Sequence, residues 1–269
     1  MTPRFERRYP PACCSDGPVW RVPFDSNGNL LRSGLQLAPD RGERTDVPSD
    51  ALYIGDWEGS PVLAWKTADF TDNDQLGMPN SVDLRGVVAN FPSEWATVVG
   101  YAFQLLEFRR RFRFCTQCGS ELIPGEMWSR SCVSCKEQFW PPVSPAVLLL
   151  IHDEDGRILL AQKPGWGDRW SILAGFVEPG ESLEECCFRE SVEEVGVEIE
   201  EPIYVGSQPW PFPHQLMVAF TARYRSGSIV PDPGELADAR WFPKDDLPKL
   251  PPPHALSRQT IDHFLRNVQ

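Results

Sequence analysis

Residues 175–197 read Gly-Phe-Val-Glu-Pro-Gly-Glu-Ser-Leu-Glu-Glu-Cys-Cys-Phe-Arg-Glu-Ser-Val-Glu-Glu-Val-Gly-Val, and this stretch decides the fold. Pro179-Gly180 turn the chain, acidic residues fill the first turn that follows, and Gly196 stands where a helix stop belongs. A helix is therefore predicted over about residues 182–195. At 100° per residue Phe188, Val192 and Val195 fall on one stripe, read here as the core face. Glu190, Glu193 and Glu194 fall on the opposite side within one turn, and like charges at that spacing destabilise a helix. Arg189 is the single adjacent cation and cannot neutralise three carboxylates. Either the acidic face is solvated, or it collects hard divalent cations, which take carboxylate and backbone oxygens.

Working outward, residues 146–152 form an apolar run typical of a buried strand, residues 153–156 a hairpin turn, and residues 158–162 its partner strand. Further strands are expected near 202–208, 215–224 and 239–242, with a terminal helix at about 254–266. Strands with intervening helices indicate a layered α/β or α+β catalytic domain. Upstream, Pro141-Pro142-Val-Ser-Pro145 is a stiff linker. Residues 92–113 carry a helical pattern (Trp95, Val98, Val99, Ala102, Leu105, Leu106) closed by Arg109, Arg110, Arg111 and Arg113. That cluster suits a phosphate contact or, as is more common, a solvated helix C-terminus. Residues 52–65 read as two short strands around a Trp-Glu-Gly-Ser turn, whereas residues 10–50 are polar and turn-rich.

Among the eight cysteines, Cys115-Thr-Gln-Cys118 and Cys132-Val-Ser-Cys135 form two C-x2-C turns. Each turn aims two thiolates at one ion, and two turns close a tetrahedral shell, so the pattern predicts a structural zinc site that staples a segment too short for its own core. Cys13–Cys14 and Cys186–Cys187 are sequence neighbours, poorly placed to bridge each other. Cys186 and Cys187 on the predicted helix are read as small buried filler, with redox sensitivity as the alternative.

With 269 residues and an apolar share of 41%, the chain can build real cores, most simply as two domains. Its 26 Lys+Arg and 38 Asp+Glu leave a net charge of −12, a poor match for general nucleic-acid binding. The longest apolar run, residues 146–151, is too short to cross a bilayer. The N-terminus has no signal-like apolar core and the C-terminus no sorting tripeptide or prenylation cysteine, so a soluble cytoplasmic protein with no membrane partner is expected.

Residues 207–215 read Ser-Gln-Pro-Trp-Pro-Phe-Pro-His-Gln. If this segment is extended, Pro209, Pro211 and Pro213 place their missing donors on one edge, and Gln208, Trp210, Phe212 and His214 share a face. The face suits stacking of a planar heterocycle; a proline-protected edge strand with core aromatics is the alternative.

The spacing of Gly175, Glu181, Arg189-Glu190, Glu193-Glu194 and Gly196 resembles the Nudix box, departing from it at Ser191, where an apolar residue is usual. Residues 207–215 resemble the SQPWPFPxS array of the NADH pyrophosphatase and NAD-capped RNA hydrolase branch, with Gln215 in place of the final Ser. The four-cysteine module upstream, residues 54–62 and Leu250-Pro-Pro-Pro253 extend the resemblance over most of the chain. It implies an α+β protein: an N-terminal Nudix-like α+β domain (1–108), a zinc ribbon (109–141) and a Nudix α/β/α sandwich (142–269). It further implies Mg2+ or Mn2+ ligands at Glu190, Glu193, Glu194, Glu235 and the Ala174 carbonyl, with Arg189 and Glu181 ordering the site. Phe176 and Trp140, the latter where relatives usually carry Tyr, correspond to a pair that sandwiches a base; Gln208 to Gln215 and Ser257 correspond to substrate contacts. Family members act as homodimers on NAD(H), cutting it to NMN(H) and AMP, or on NAD-capped RNA.

Three other readings compete with hydrolysis of free NAD(H). One makes the NAD cap of RNA the main substrate, and another a broad dinucleotide hydrolase for ADP-ribose or diadenosine compounds. The third is a non-catalytic nucleotide sensor, which the intact set of box glutamates argues against.

Overall fold

The computed structural model describes residues 4–9, 17–32, 38–67 and 80–267; Cys13 and Cys14 lie outside them. The chain divides into two compact units, Met1–Pro142 and Val143–Gln269.

In the second unit, β11 (Ser144–His152) is the strand around which everything is laid. Its odd residues Val147, Leu149 and Ile151 enter one core and its even residues Leu148 and Leu150 another. That is the period-2 alternation of a strand, and a strand buried on both faces reads as a continuous apolar run. β11 pairs parallel with β16 (Gln215–Gly227) and antiparallel with β12 (Ile158–Gln162) and β13 (Leu173–Phe176). β17 (Asp238–Phe242) adds to β12, while β14 (Val197–Ile199) and β15 (Ile203–Trp210) add to β16. Helix α3 (Leu183–Val195) covers the odd-residue face through Cys186, Cys187 and Val195. Helix α4 (Leu256–Asn267) covers the other through Leu256, Ile261 and Phe264. The result is an α/β/α sandwich.

Two expectations for this unit need correction. Phe188 is 37% and Val192 53% exposed, whereas Cys186, Cys187 and Ser191 are fully buried. The core stripe of α3 is therefore Cys186, Cys187, Ser191 and Val195, and Glu190 and Glu194 lie on that buried side instead of opposite it. Ser191 sits inside the stripe, with its hydroxyl donating to the Phe188 carbonyl. A hydroxyl satisfied within its own helix is tolerated at a site that also needs small volume. Burial pushes the thiols of Cys186 and Cys187 up to about 12, as suits inert filler. The second correction concerns residues 207–215, which are not one extended strand. β15 ends at Trp210, and Pro211 to His214 form the turn into β16, with a cis Phe212–Pro213 peptide. Proline at successive turn positions withholds the donors a continuing ladder would need. Gln208 and Trp210 thus share a strand face, and Phe212 and His214 belong to the turn.

In the first unit a sheet runs β1 (Phe5–Arg7), β5 (Leu52–Trp57), β6 (Ser60–Lys66), β2 (Val19–Phe24), β3 (Leu30–Arg32), β7 (Asn80–Val82), with β4 (Asp40–Gly42) on β2. The strands β2 to β4 fall where composition suggested only turns. Val19, Val22 and Phe24 are nonetheless fully buried, because β2 pairs with β6 in the sheet interior. Helix α1 (Leu84–Asn90) is capped by Asp83, whose side chain accepts from Gly86 N. Helix α2 (Ser93–Arg111) buries Trp95, Val98, Val99, Ala102, Leu105 and Leu106, the predicted stripe. Beyond it, β8 (Leu122–Pro124), β9 (Arg130–Cys132) and β10 (Gln138–Phe139) form a small antiparallel sheet that carries the cysteines. Among the described residues no helix is long and apolar enough to cross a membrane.

Candidate active site

Helix α3 is set rigidly at both ends. Ser182 accepts from Glu185 N while the Glu185 side chain accepts from Ser182 N, a reciprocal capping box, and Gly196 closes the helix in the left-handed region at φ 71°. The helix lies so close to β13 that a Cβ on Gly175 would stand 1.8 Å from the Glu190 carboxyl carbon. Any side chain at that position would have to displace the Glu190 carboxylate.

Arg189 is the hub of the box. Its Nε donates to Glu181 at 2.7 Å, its Nη1 to Glu190 at 2.8 Å and Glu193 at 2.9 Å, and its Nη2 to the Phe176 carbonyl at 2.9 Å and Glu181 at 2.9 Å. One planar guanidinium thus fixes the loop and two carboxylates at once. The hydrogen bond from Arg189 holds Glu181 at about 2, well below the carboxylate range. Glu181 also accepts from Glu178 N and lies outside the cavity that the other box groups line.

That cavity, about 430 Å³, is lined by Phe176, Glu178, Arg189, Glu190, Glu193, Glu194, Asp232 and Glu235. Glu194 is 2% exposed and neither carboxylate oxygen has a hydrogen-bond partner. Lys163 Nζ approaches it at 3.5 Å and Glu235 at 3.9 Å, ion-pair distances without hydrogen-bond geometry at Glu194. Burial pushes Glu194 up to about 7 against the pull of Lys163, and burial also raises Glu190. A buried carboxylate that accepts no hydrogen bond and sits beside further acids is costly unless a further cation completes it, and an all-oxygen donor set suits Mg2+ or Mn2+. Lys163 and Asp232 were not foreseen from sequence. Both are remote from the helix in the chain, and no local pattern marks them.

A second cavity of about 230 Å³ shares Glu194 as part of its wall. Ala174, Trp210, Gln215 and Ser257 line it, together with Lys163 and Trp166. Gln208 also reaches it, but its amide is committed: it donates to the His254 carbonyl at 3.0 Å and accepts from Leu256 N at 2.9 Å. That exchange pins the start of α4, on which Ser257 sits. His214 pairs with Ser144 Oγ at 3.2 Å. Pro209, Pro211, Phe212, Pro213 and His214 do not line this cavity. Trp140 belongs to the first unit and is 56% exposed.

Cys115, Cys118, Cys132 and Cys135 bring their sulfurs within 4.8 Å of one another. Sγ–Sγ separations of 3.4 Å for Cys118–Cys132 and 3.6 Å for Cys115–Cys135 and Cys118–Cys135 exclude disulfides. They approach the roughly 3.8 Å edge of a tetrahedron with Zn–S bonds of about 2.3 Å. Gly119 at φ 74° and Lys136 at φ 66° each follow the second cysteine of a turn in the left-handed region. The four thiols therefore fit a structural zinc.

A NUDIX domain model matches residues 142–264. The chain is a member of the Nudix family. It is 39% identical over 217 residues to the NAD-capped RNA hydrolases NudC of Shigella boydii serotype 18 and of Escherichia coli O9:H4, covering 80% of this chain and 81% of each relative. It therefore belongs, within the family, to the NADH pyrophosphatase and NAD-capped RNA hydrolase branch. A solved NUDIX hydrolase from Nitrosomonas europaea is 22% identical, aligned over 57% of this chain and 90% of that one, with a TM-score of 0.48.

Proposed function

We propose that this protein hydrolyses the pyrophosphate bond of NAD(H), giving NMN(H) and AMP. Water adds to one phosphorus, the bridging P–O bond breaks, and the proton released goes to solvent. The observation that carries the reading is the buried Glu194 carboxylate, which accepts no hydrogen bond, at the junction of an acidic and a largely apolar cavity. Glu190, Glu193, Glu194, Glu235 and the Ala174 carbonyl would hold Mg2+ or Mn2+. When bound, the cation neutralises phosphate charge and lowers the pKa of a coordinated water. Arg189 keeps Glu190 and Glu193 oriented with Glu181 as its anchor. The half-exposed Phe176 ring offers a stacking face, and Trp210, Gln215 and Ser257 wall the neighbouring cavity.

The ribbon cysteines would hold one structural Zn2+. We assign the segments 1–108, 109–141 and 142–269 as modules of a cytoplasmic homodimer in which Trp140 is presented to the site of a partner subunit. A second reading, removal of the NAD cap from RNA to leave a 5′-monophosphate end, is favoured by the activity named for the NudC relatives. Both use the same bond and the same residues.

The test is product analysis by mass spectrometry. The protein and its Glu194→Gln variant are incubated with NADH, NAD+, ADP-ribose, diadenosine polyphosphates and an NAD-capped RNA, in Mg2+ or Mn2+. NMN(H) and AMP, lost in the variant, are expected, and the rate on capped RNA relative to NADH ranks the two substrates. Preferential turnover of ADP-ribose would point to a broad hydrolase, and intact substrates despite bound metal to a nucleotide sensor.

A further inference from the structure

Arg109, Arg110 and Arg111 at the end of α2 and Arg113 just beyond it do not share one environment. Arg110 and Arg111 are spent on Glu107, at 2.9 Å and 3.1 Å, and Glu107 also takes Lys66 at 2.6 Å. Burial alone would raise the Glu107 carboxyl, but these cations hold it at about 2. Arg113 lies over the ring of Phe114. Arg109 instead lines a cavity of about 300 Å³ within the first unit, and Arg130, from β9, lines the same cavity. Among the described residues neither guanidinium is within ion-pairing distance of a carboxylate. Arg109 reaches only the Asp50 carbonyl at 3.4 Å, and Arg130 Nη2 donates to the Leu122 carbonyl. Arg130 Nε is buried without a partner. Two arginines bordering one cavity repel each other, as the effect of Arg109 on Arg130 shows, and their forked donors match a phosphate best. The remaining wall carries the polar residues Ser49, Asp50 and Ser129 beside an aromatic and soft part from Tyr53, Phe108, Met127 and Trp128, and that part stacks a nucleobase with little regard to its identity.

We propose that this cavity is a second ligand site, for the phosphate and base of a nucleoside monophosphate unit. Two sources share that chemistry, a free mononucleotide and a nucleotide within an RNA chain. The site lies wholly outside the Nudix unit and does not depend on the function assigned there.

The experiment uses the full-length, zinc-loaded protein and photo-crosslinking with 8-azidoadenosine 5′-monophosphate, followed by peptide mapping. Adducts are expected in peptides covering residues 49–53 and 124–130, competed at least tenfold better by AMP than by adenosine or inorganic phosphate. In the double variant Arg109→Gln, Arg130→Gln those adducts should fall at least tenfold while NADH turnover and zinc content hold. Arg109→Gln alone, on the helix surface, should show a smaller loss and covers the case in which the double variant misfolds. A 5′-phosphorylated tetraribonucleotide that competes better than AMP assigns the site to RNA; equal competition assigns it to the free nucleotide. Adducts absent from both peptides, undiminished in the variants, or competed equally by adenosine overturn the proposal.

Discussion

Replacing Glu194 by Gln should abolish turnover and yet stabilise the cation-free Nudix unit. Glu194 is 2% exposed, neither oxygen accepts a hydrogen bond, and burial lifts its carboxyl from an ordinary 4.5 to about 7 against the pull of Lys163. A carboxyl with a raised folded pKa adds nothing unfavourable below pH 4.5, where both states are protonated. As pH rises from there to 7 the unfolded chain ionises and the folded one does not, so stability falls, and above 7 the loss is constant. At about 1.4 kcal/mol for each tenfold, the loss reaches about 3 kcal/mol. An amide of the same shape carries no charge to desolvate, so Glu194→Gln should regain most of it at pH 8 and little at pH 4.5. The measurement is native-state hydrogen exchange of the β11 and α3 amides, with zinc retained and no Mg2+ or Mn2+ added. A variant no more stable than the parent at pH 8, or equally stabilised at both pH values, would refute the claim that Glu194 is held ready for a cation at the expense of folding.

Gly175→Ala drives a Cβ into the Glu190 carboxyl. A displacement of that size should cut NADH turnover about 100-fold with the circular dichroism spectrum unchanged; near-normal kcat would show that Glu190 has room to move. Cys132→Ser should lose zinc by elemental analysis, and with it the exchange protection of β8 to β10; full protection without zinc would remove the case for a staple. Gln208→Leu leaves Leu256 N and the His254 carbonyl without partners, a cost of about 1–2 kcal/mol. It should speed exchange at the start of α4 about tenfold, and an unchanged rate would make Gln208 a substrate contact alone.

What is local in the chain was legible from it. The helix at 183–195 is announced by a Pro-Gly turn, an acidic first turn and a terminal glycine, all between residues 179 and 196, and the zinc site by the spacing of two short turns. Strand β11 is announced by its unbroken apolar run. Failure came where hydropathy stood in for packing. Phe188 and Val192 are the apolar residues that a wheel selects, but the helix must approach β13 closely enough for Glu190 to rest on Gly175. Cys186, Cys187, Ser191 and Val195 face the sheet together with Glu190 and Glu194, and the arc those six residues occupy leaves Phe188 and Val192 on the outer side. The array at 207–215 likewise reads as one strand until the pairing of β15 with β16 demands a turn inside it.

By itself, then, the sequence determined the central strand, the helix of the acidic box with its glycine stop and the residue types able to bind metal, because each depends on neighbours a few positions away. Only the tertiary structure decided which side of α3 is buried, that Lys163 and Asp232 join the carboxylates, and that Arg109 and Arg130 meet across one cavity. Those outcomes depend on how strands and helices distant in the chain pack together. A buried carboxylate without a hydrogen bond, or two arginines lining one cavity, exists only once the chain has folded.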